Sequence, residues 1–560
     1  MFVSFDSALV LSKCYRRNSV EVSMQRHYDT VFTPRSLVSF LLALICAANM
    51  TLAQGDEDVP SVSRMFSKVM PLKIQAHERR TASAATSRAN AAKIKSFFAD
   101  NQELGCGNDG LIVGTSFPCK NMNLTAFLTG EELGSPYAVS TATSVNDVWG
   151  WTDSTTGKEY ALVGLFDGTS IVDISNPTQP TTVAFLETTT GVVSGLDGFR
   201  NIWRDMKVIG DVMYVGSEVS FHGIQTFDLT LVRSPIVASP TPESRPSFFR
   251  SIWDFFVNLL INIWLFPLRA IEFVFGFESG LGSAPDPVTG VPIIAPTFVT
   301  PEVGGSHNLV AAADAAKIIA VGLSLNDKTC PGAALAIFDI SDDPLQPTFD
   351  ACVSLDDVAF GYVHDAQCIN YDGPSTAYIG VNICALFMET AIALYDLDDR
   401  SLINSFSYDN AAYTHQGWFS EDHTTLYVDD ELDEVDGTSG TSFSTCYIFN
   451  VTNLDAEIQP PMQFVTPSEH PSIDHNLYTR EGHVYQAAYT SGARVRRILP
   501  DTTLEEVAYF DSDLVCECVD RGSCPCDFFG GVWTFFPYFD SGLAVASSDA
   551  DGLYILRPLL

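Results

Sequence analysis

Gly168-Thr169-Ser170-Ile171-Val172-Asp173 is an apolar run that closes on an acid and meets a turn, and the chain repeats it. Further copies are Gly223-Ile224-Gln225-Thr226-Phe227-Asp228, Ala336-Ile337-Phe338-Asp339, Ala393-Leu394-Tyr395-Asp396 and Cys446-Tyr447-Ile448-Phe449-Asn450, with weaker ones at 494–498 and 552–556. A second pattern alternates with the first: a polar pair that opens an apolar strand. It occurs at Asn146-Asp147, Arg204-Asp205, His307-Asn308, His364-Asp365, His415-Gln416 and His475-Asn476, and the seventh copy, Gly531-Val532-Trp533, lacks the pair. A unit of roughly 50–60 residues made of short strands is a propeller blade, because one small sheet cannot bury both faces alone. Seven copies predict an all-β, seven-bladed β-propeller over residues 106–560.

The spacing locates an interruption. Asp173 to Asp228 is 55 residues and Asp339 to Asp396 is 57, but Asp228 to Asp339 is 111. Only one opening pair, His307-Asn308, falls in that gap, so the excess reads as an insertion at 233–300 that interrupts no sheet. Residues 247–276 within it are strongly apolar. The sixteen residues from Ser251 to Phe266 carry one charge, Asp254, and would reach about 24 Å as a helix, short of a ~30 Å hydrocarbon core. Two readings stay open: a lid of helices packed on the propeller, or contact with a membrane surface led by Trp253 and Trp264. At the other end of the chain, one outer strand is lacking after the last repeat. A surplus strand, 121–130, precedes the first, and it is expected to complete the last blade and so remove a sheet edge.

Composition bounds the partners. The formal net charge of −37 over 560 residues argues against nucleic acid. Residues 36–53 form a short apolar stretch behind Arg26 and Arg35 and ahead of an acidic run. That pattern predicts a signal peptide over 1–53, or an uncleaved signal anchor, and an extracellular or cell-surface location. Residues 54–105 form a leader, with an Ala-rich helical stretch at 83–99. The leader is richer in Lys and Arg than the rest of the chain, which suits a propeptide, a spacer or a helix docked on an acidic propeller. Three cysteine pairs sit at loop-closing separations: Cys106 with Cys119, Cys330 with Cys352, and Cys368 with Cys384. Cys516, Cys518, Cys524 and Cys526 suit two local disulfides or a four-thiolate zinc site. Asn123 and Asn450 fit the glycosylation acceptor pattern.

The opening pairs carry the chemistry. Each starts an innermost strand, so their side chains are expected to converge at one mouth of the central channel. Asp147, Arg204, Asp205, Asn308, Asp365, Gln416 and Asn476 are candidates to bind a polar ligand there. His307, His364, His415 and His475 are candidates to hold a divalent metal ion, since imidazoles and carboxylates facing one axis suit such an ion. Repeated histidines in propellers also serve as braces between strands, and that bland reading competes with the metal. Glu218 and His222 are weaker candidates for the same mouth. The acidic run Asp429-Asp430-Glu431-Leu432-Asp433-Glu434 suits Ca²⁺ by composition. Alternation along a strand sends its members to opposite faces, so it reads first as a solvated loop. The function expected is binding of an unidentified ligand or protein at the mouth. The alternative is a metal-dependent hydrolase in which the histidines and Asp205 or Asp365 hold an ion that activates water.

Several motifs together resemble a known family: Asn146-Asp-Val-Trp-Gly-Trp, the stretch Glu159 to Ser170, Trp203-Arg-Asp, Ser306-His-Asn, Val363-His-Asp-Ala-Gln-Cys, Tyr413-Thr-His-Gln-Gly-Trp, Asp430-Glu-Leu-Asp-Glu and Asp474-His-Asn-Leu-Tyr. In this order they are similar to the choice-of-anchor B family of LVIVD-repeat proteins, also labelled regulatory P domain-containing. The resemblance spans about residues 119–558 apart from the insertion. It implies an exported or surface-held propeller and implies no reaction. The chain departs from the pattern in the insertion, in the four-cysteine loop at 516–526, and in Asn382, where the family tends to carry Glu.

Overall fold

The computed structural model describes residues 91–98, 102–135, 145–188, 203–219, 222–234, 289–323, 327, 329–331, 334–355, 362–436, 440–467, 471–512, 529–549 and 551–560, together with Val69, Leu72 and Lys73. The segments 1–53, 247–276 and 516–526 lie outside the described residues.

Seven sheets of four or five strands make up the described fold. The first blade contains Val145–Thr152, Glu159–Leu165, Gly168–Asp173 and Thr181–Glu187, each antiparallel to the next. The same order repeats from the innermost strands Arg204–Ile209, Asn308–Ala312, Asp365–Asn370, Thr414–Phe419, Leu477–Arg480 and Val532–Phe536. The middle strands read as continuous apolar runs because both their faces are covered; Glu159–Leu165 and Thr425–Asp430 are buried throughout.

The core is a set of seams between blades. Trp151, Leu162 and Ile171 of the first blade meet Met206, Val215 and Phe227 of the second. Comparable clusters join each later pair of neighbours. Between the seventh blade and the first, Val545 and Ile555 pack with Val148 and Val163. Met122–Leu128 is the outermost strand of the seventh sheet and runs antiparallel to Gly552–Pro558.

The far end of the insertion departs from expectation. Phe298–Thr300 pairs with Ile224–Asp228 as the outer strand of the second blade, and Ile293–Ile294 runs parallel to the outer strand of the first. The insertion therefore interrupts a sheet, between the third and fourth strands of the second blade. These two strands have two and three residues, too few to show a period in the sequence. Replacing residues 236–288 with a short Gly/Ser linker should leave the thermal midpoint within a few degrees. Extending the replacement through residue 300 should lower it clearly, because Ile224–Asp228 then becomes an edge. Equal melting of the two would show that Phe298–Thr300 contributes nothing.

Three disulfides are present, Cys106–Cys119, Cys330–Cys352 and Cys368–Cys384, as their spacing suggested. Cys446 is buried and free, and burial pushes its thiol up to about 12. Among the described residues no helix is long and apolar enough to cross a membrane.

Candidate functional site: a histidine arc at the channel mouth

One residue from each blade borders a single cavity: Asn146, Arg204, His307, His364, His415, His475 and Trp533. Trp533 stands in the seventh blade where the polar pair is lacking. The cavity has room for about one water-sized group, some 10 Å³. That is far smaller than the site of a drug-sized ligand, so it suits an ion or a small polar group.

The two residues of each pair divide the work, because neighbours on a strand point to opposite sides. The second residue stitches adjacent blades. Asp205 Oδ2 accepts the Leu309 amide at 2.6 Å, and Asn308 Nδ2 donates to the His364 carbonyl at 3.1 Å. Gln416 exchanges two bonds with the Leu477 backbone. Asn476 donates to Thr534, whose hydroxyl donates to Asp147. Asp147, Asn308 and Asn476 border the cavity as well. Lys207 closes this layer, 2.6 Å from Asp205 and 4.6 Å over the Trp149 ring. Burial pushes the Asp365 carboxyl up to about 7. Arg204 donates to the Leu165 carbonyl and, at 2.9 Å, meets Nε2 of His222. Burial, then the Arg204 charge, holds His222 down at about 3. Glu218 lies 2.6 Å from His307 Nδ1.

The first residues form an arc. Successive ring centroids from His307 through His364 and His415 to His475 stand 4.4, 4.3 and 4.2 Å apart, and Trp533 follows at 4.4 Å. The Nδ1 atoms of His364 and His475 face the carbonyls of His415 and Trp533 at 2.9 and 2.6 Å. A carbonyl has no proton to give, so each Nδ1 donates and each Nε2 is a bare lone pair. Nδ1 of His415 faces Asp429 Oδ1 at 3.0 Å, an oxygen that already accepts the Gln416 amide. The three Nε2 atoms are buried and make no hydrogen bond. Burial is the main cause holding all three imidazoles well below their ordinary pKa, hence neutral. A ring fixed through one nitrogen with the other bare is the usual state of a metal-ligating histidine.

Glu431 completes the group. Its carboxylate lies 3.8 Å from His415 Nε2 and 3.6 Å from His475 Nε2, and accepts the Tyr489 hydroxyl at 2.7 Å. One ligand atom from each of His415, Glu431 and His475 lies within 4.8 Å of the others. Donors around a tetrahedral zinc ion stand about 3.3 Å apart, so a small adjustment would close the set. Gly531, at φ 124°, carries the backbone against Tyr489, where a Cβ would strike the Tyr489 carbonyl. Paired amides of Tyr489 and Val532 then fix the tyrosine that holds Glu431.

The acidic run is not a solvated loop. Asp429, Asp430, Glu431, Asp433 and Glu434 all have zero exposure. The strand ends at Asp430, so alternation no longer governs the residues beyond it. Asp433, Glu434 and Asp474 form a second buried carboxylate group, and burial raises all three, Asp433 to about 7. Asn123 donates to Glu103 from the outer strand of the seventh sheet, whereas Asn450 is exposed. Asn382 bonds Asp398, on the fourth blade.

The sequence patterns missed Glu431 as a partner of the histidines, and with it Tyr489, Trp533 and Lys73. The position of Trp533 in the seventh repeat was the one available signal.

Residues 157–188 match the family model of the LVIVD repeat; they hold the last three long strands of the first blade. No curated protein matches the chain. Among solved structures, the chain is similar to the Cps50 (Swd1) β-propeller domain of Myceliophteria thermophila, with 10% identity, 78% of this chain and 99% of that one covered, and a TM-score of 0.42. It is also similar to the extracellular domain of a B. thetaiotaomicron protein described as a hybrid two-component system. There the identity is 10%, the coverage 78% and 39%, and the TM-score 0.38.

Proposed function

We propose that this protein is a secreted or surface-held propeller whose channel mouth binds a small ligand, and that the ligand is a divalent metal ion held by His415, Glu431 and His475 with His364 beside them. One observation carries the reading: three neutral imidazoles are fixed through Nδ1 with unbonded Nε2 lone pairs, and those of His415 and His475 stand 3.8 and 3.6 Å from one buried carboxylate. Polar atoms sealed from water without partners are costly, and one ion would satisfy the Nε2 atoms of His415 and His475 together. The donor set of nitrogen and one carboxylate suits zinc or a similar transition ion more than calcium. The three disulfides accord with an oxidising location. The pairing of Met122–Leu128 with Gly552–Pro558 is part of the same reading, as the closure of the ring.

Hydrolysis is the second reading. Three protein donors leave a fourth position where a metal-bound water would sit. Asp205 is not an available ligand for it, since Lys207 and the Leu309 amide take both its oxygens.

Cobalt(II) titration of the full chain, followed by its absorption bands and by calorimetry, is expected to give one bound ion. His415→Ala and His475→Ala should each lose at least about 100-fold in affinity, as expected for loss of a direct ligand when indirect ones cost 10–100-fold. Binding that both variants leave unchanged would place the ion elsewhere.

A further inference from the structure

The mouth already holds a cation from the chain's own leader. Lys73 belongs to no blade, yet its side chain is 3% exposed and its Nζ lies 2.7 Å from Glu431 Oε1. The ammonium also sits 4.5 Å over the Trp533 ring, a favourable place for a cation. Val69, fully buried, and Leu72 pack into the aromatic group over the mouth, which includes Trp203, Tyr362, Tyr413 and Tyr489. Two apolar anchors and one charge are thus seated where the histidine arc converges. A lysine buried this deeply is costly unless paired, and the carboxylate it pairs with is itself wholly buried.

We infer that Val69, Leu72 and Lys73 form a tethered plug, with Lys73 holding the cation position at Glu431 until a divalent ion displaces it. The inference rests on the metal reading of the mouth and concerns its regulation. One carboxylate in a dry pocket cannot serve an ammonium and a dication together, because the two cations then stand a few ångströms apart at low effective dielectric. The leader and the ion are therefore competitors. Lys73 neutralises Glu431 in the metal-free protein. Release of the leader, by proteolysis or by displacement, opens the full donor set. The leader is covalently tethered to the blades and also docked on them through Ile94 and Lys95, so its effective concentration at the mouth is high and the competition is strong.

Two measurements on the full-length protein test this. Lys73→Met keeps the length and apolar stem of the side chain and removes its charge. It should bind cobalt(II) at least about tenfold more tightly than the wild type, whereas Lys73→Arg should not. Circular dichroism checks that the variants fold. The second measurement needs no variant: amine labelling with mass spectrometry should find Lys73 protected without metal, and its labelling should rise at least about tenfold when cobalt(II) saturates the protein. Equal affinity of wild type and Lys73→Met, or a Lys73 that stays protected while the ion binds, overturns the plug and leaves the metal reading standing. Failure of every form to bind cobalt(II) removes both.

Discussion

A protein that begins at residue 131 should fail to stay monomeric, and its thermal transition should fall steeply or vanish. Met122–Leu128 gives the seventh sheet its outer strand, and its loss leaves Gly552–Pro558 as a bare edge able to pair with other chains. The side-chain loss is large as well. Met122, Leu124 and Phe127 pack in the seam with the sixth blade, while Ala126 and Leu128 pack in the seam with the first. At roughly 1.5–3 kcal/mol for each large apolar side chain, the deletion removes on the order of 8 kcal/mol. That is comparable with the 5–15 kcal/mol by which domains are commonly stable. Light scattering and differential scanning calorimetry would read the result. A synthetic peptide of residues 119–130 added in trans should recover part of the transition. A truncated protein that remains monomeric with an unchanged midpoint would refute closure by this strand.

The blades were legible because their middle strands are buried on both faces. Apolar runs such as Ile171-Val172 and Tyr447-Ile448-Phe449 recur at one period, and turns punctuate them. The outer strand of the second blade was not, since Phe298–Thr300 reaches its sheet only after the insertion and has no pattern of its own. The mouth was legible in part. Histidines at the start of successive innermost strands had to converge, and His307, His364, His415 and His475 do stand in one arc. The role of each second residue was hidden, because an asparagine that bridges blades and one that binds a ligand read alike in sequence. Glu431 was hidden for a different reason. Its burial is decided by Tyr489, Trp533 and Lys73, which lie 58, 102 and 358 residues away in sequence. No local window holds that information.

Asp430→Ala should be among the most damaging single substitutions in the fold, at about 3–5 kcal/mol. The Asp430 carboxylate has zero exposure and accepts four hydrogen bonds. Oδ1 takes the amides of Tyr413 and Leu432 at 2.6 and 3.2 Å, and Oδ2 takes the Tyr408 hydroxyl and the Ala412 amide at 2.7 and 2.8 Å. Alanine leaves three backbone donors sealed from water, and each orphaned group costs about 1–3 kcal/mol. Some of that is recovered, because burial raises the Asp430 carboxyl above its ordinary range and its charge is then no longer buried. The same four bonds fix the segment that leads into His415 and the turn that presents Glu431, so the damage should reach the mouth. Asp430→Asn keeps one oxygen as acceptor and should cost about half as much. Urea midpoints measure the stability change, and cobalt(II) affinity of the folded variants measures the effect on the site. A midpoint shift worth less than about 1 kcal/mol for Asp430→Ala would show that water or a backbone shift satisfies those donors. A large shift with unaltered cobalt affinity would separate the brace from the mouth.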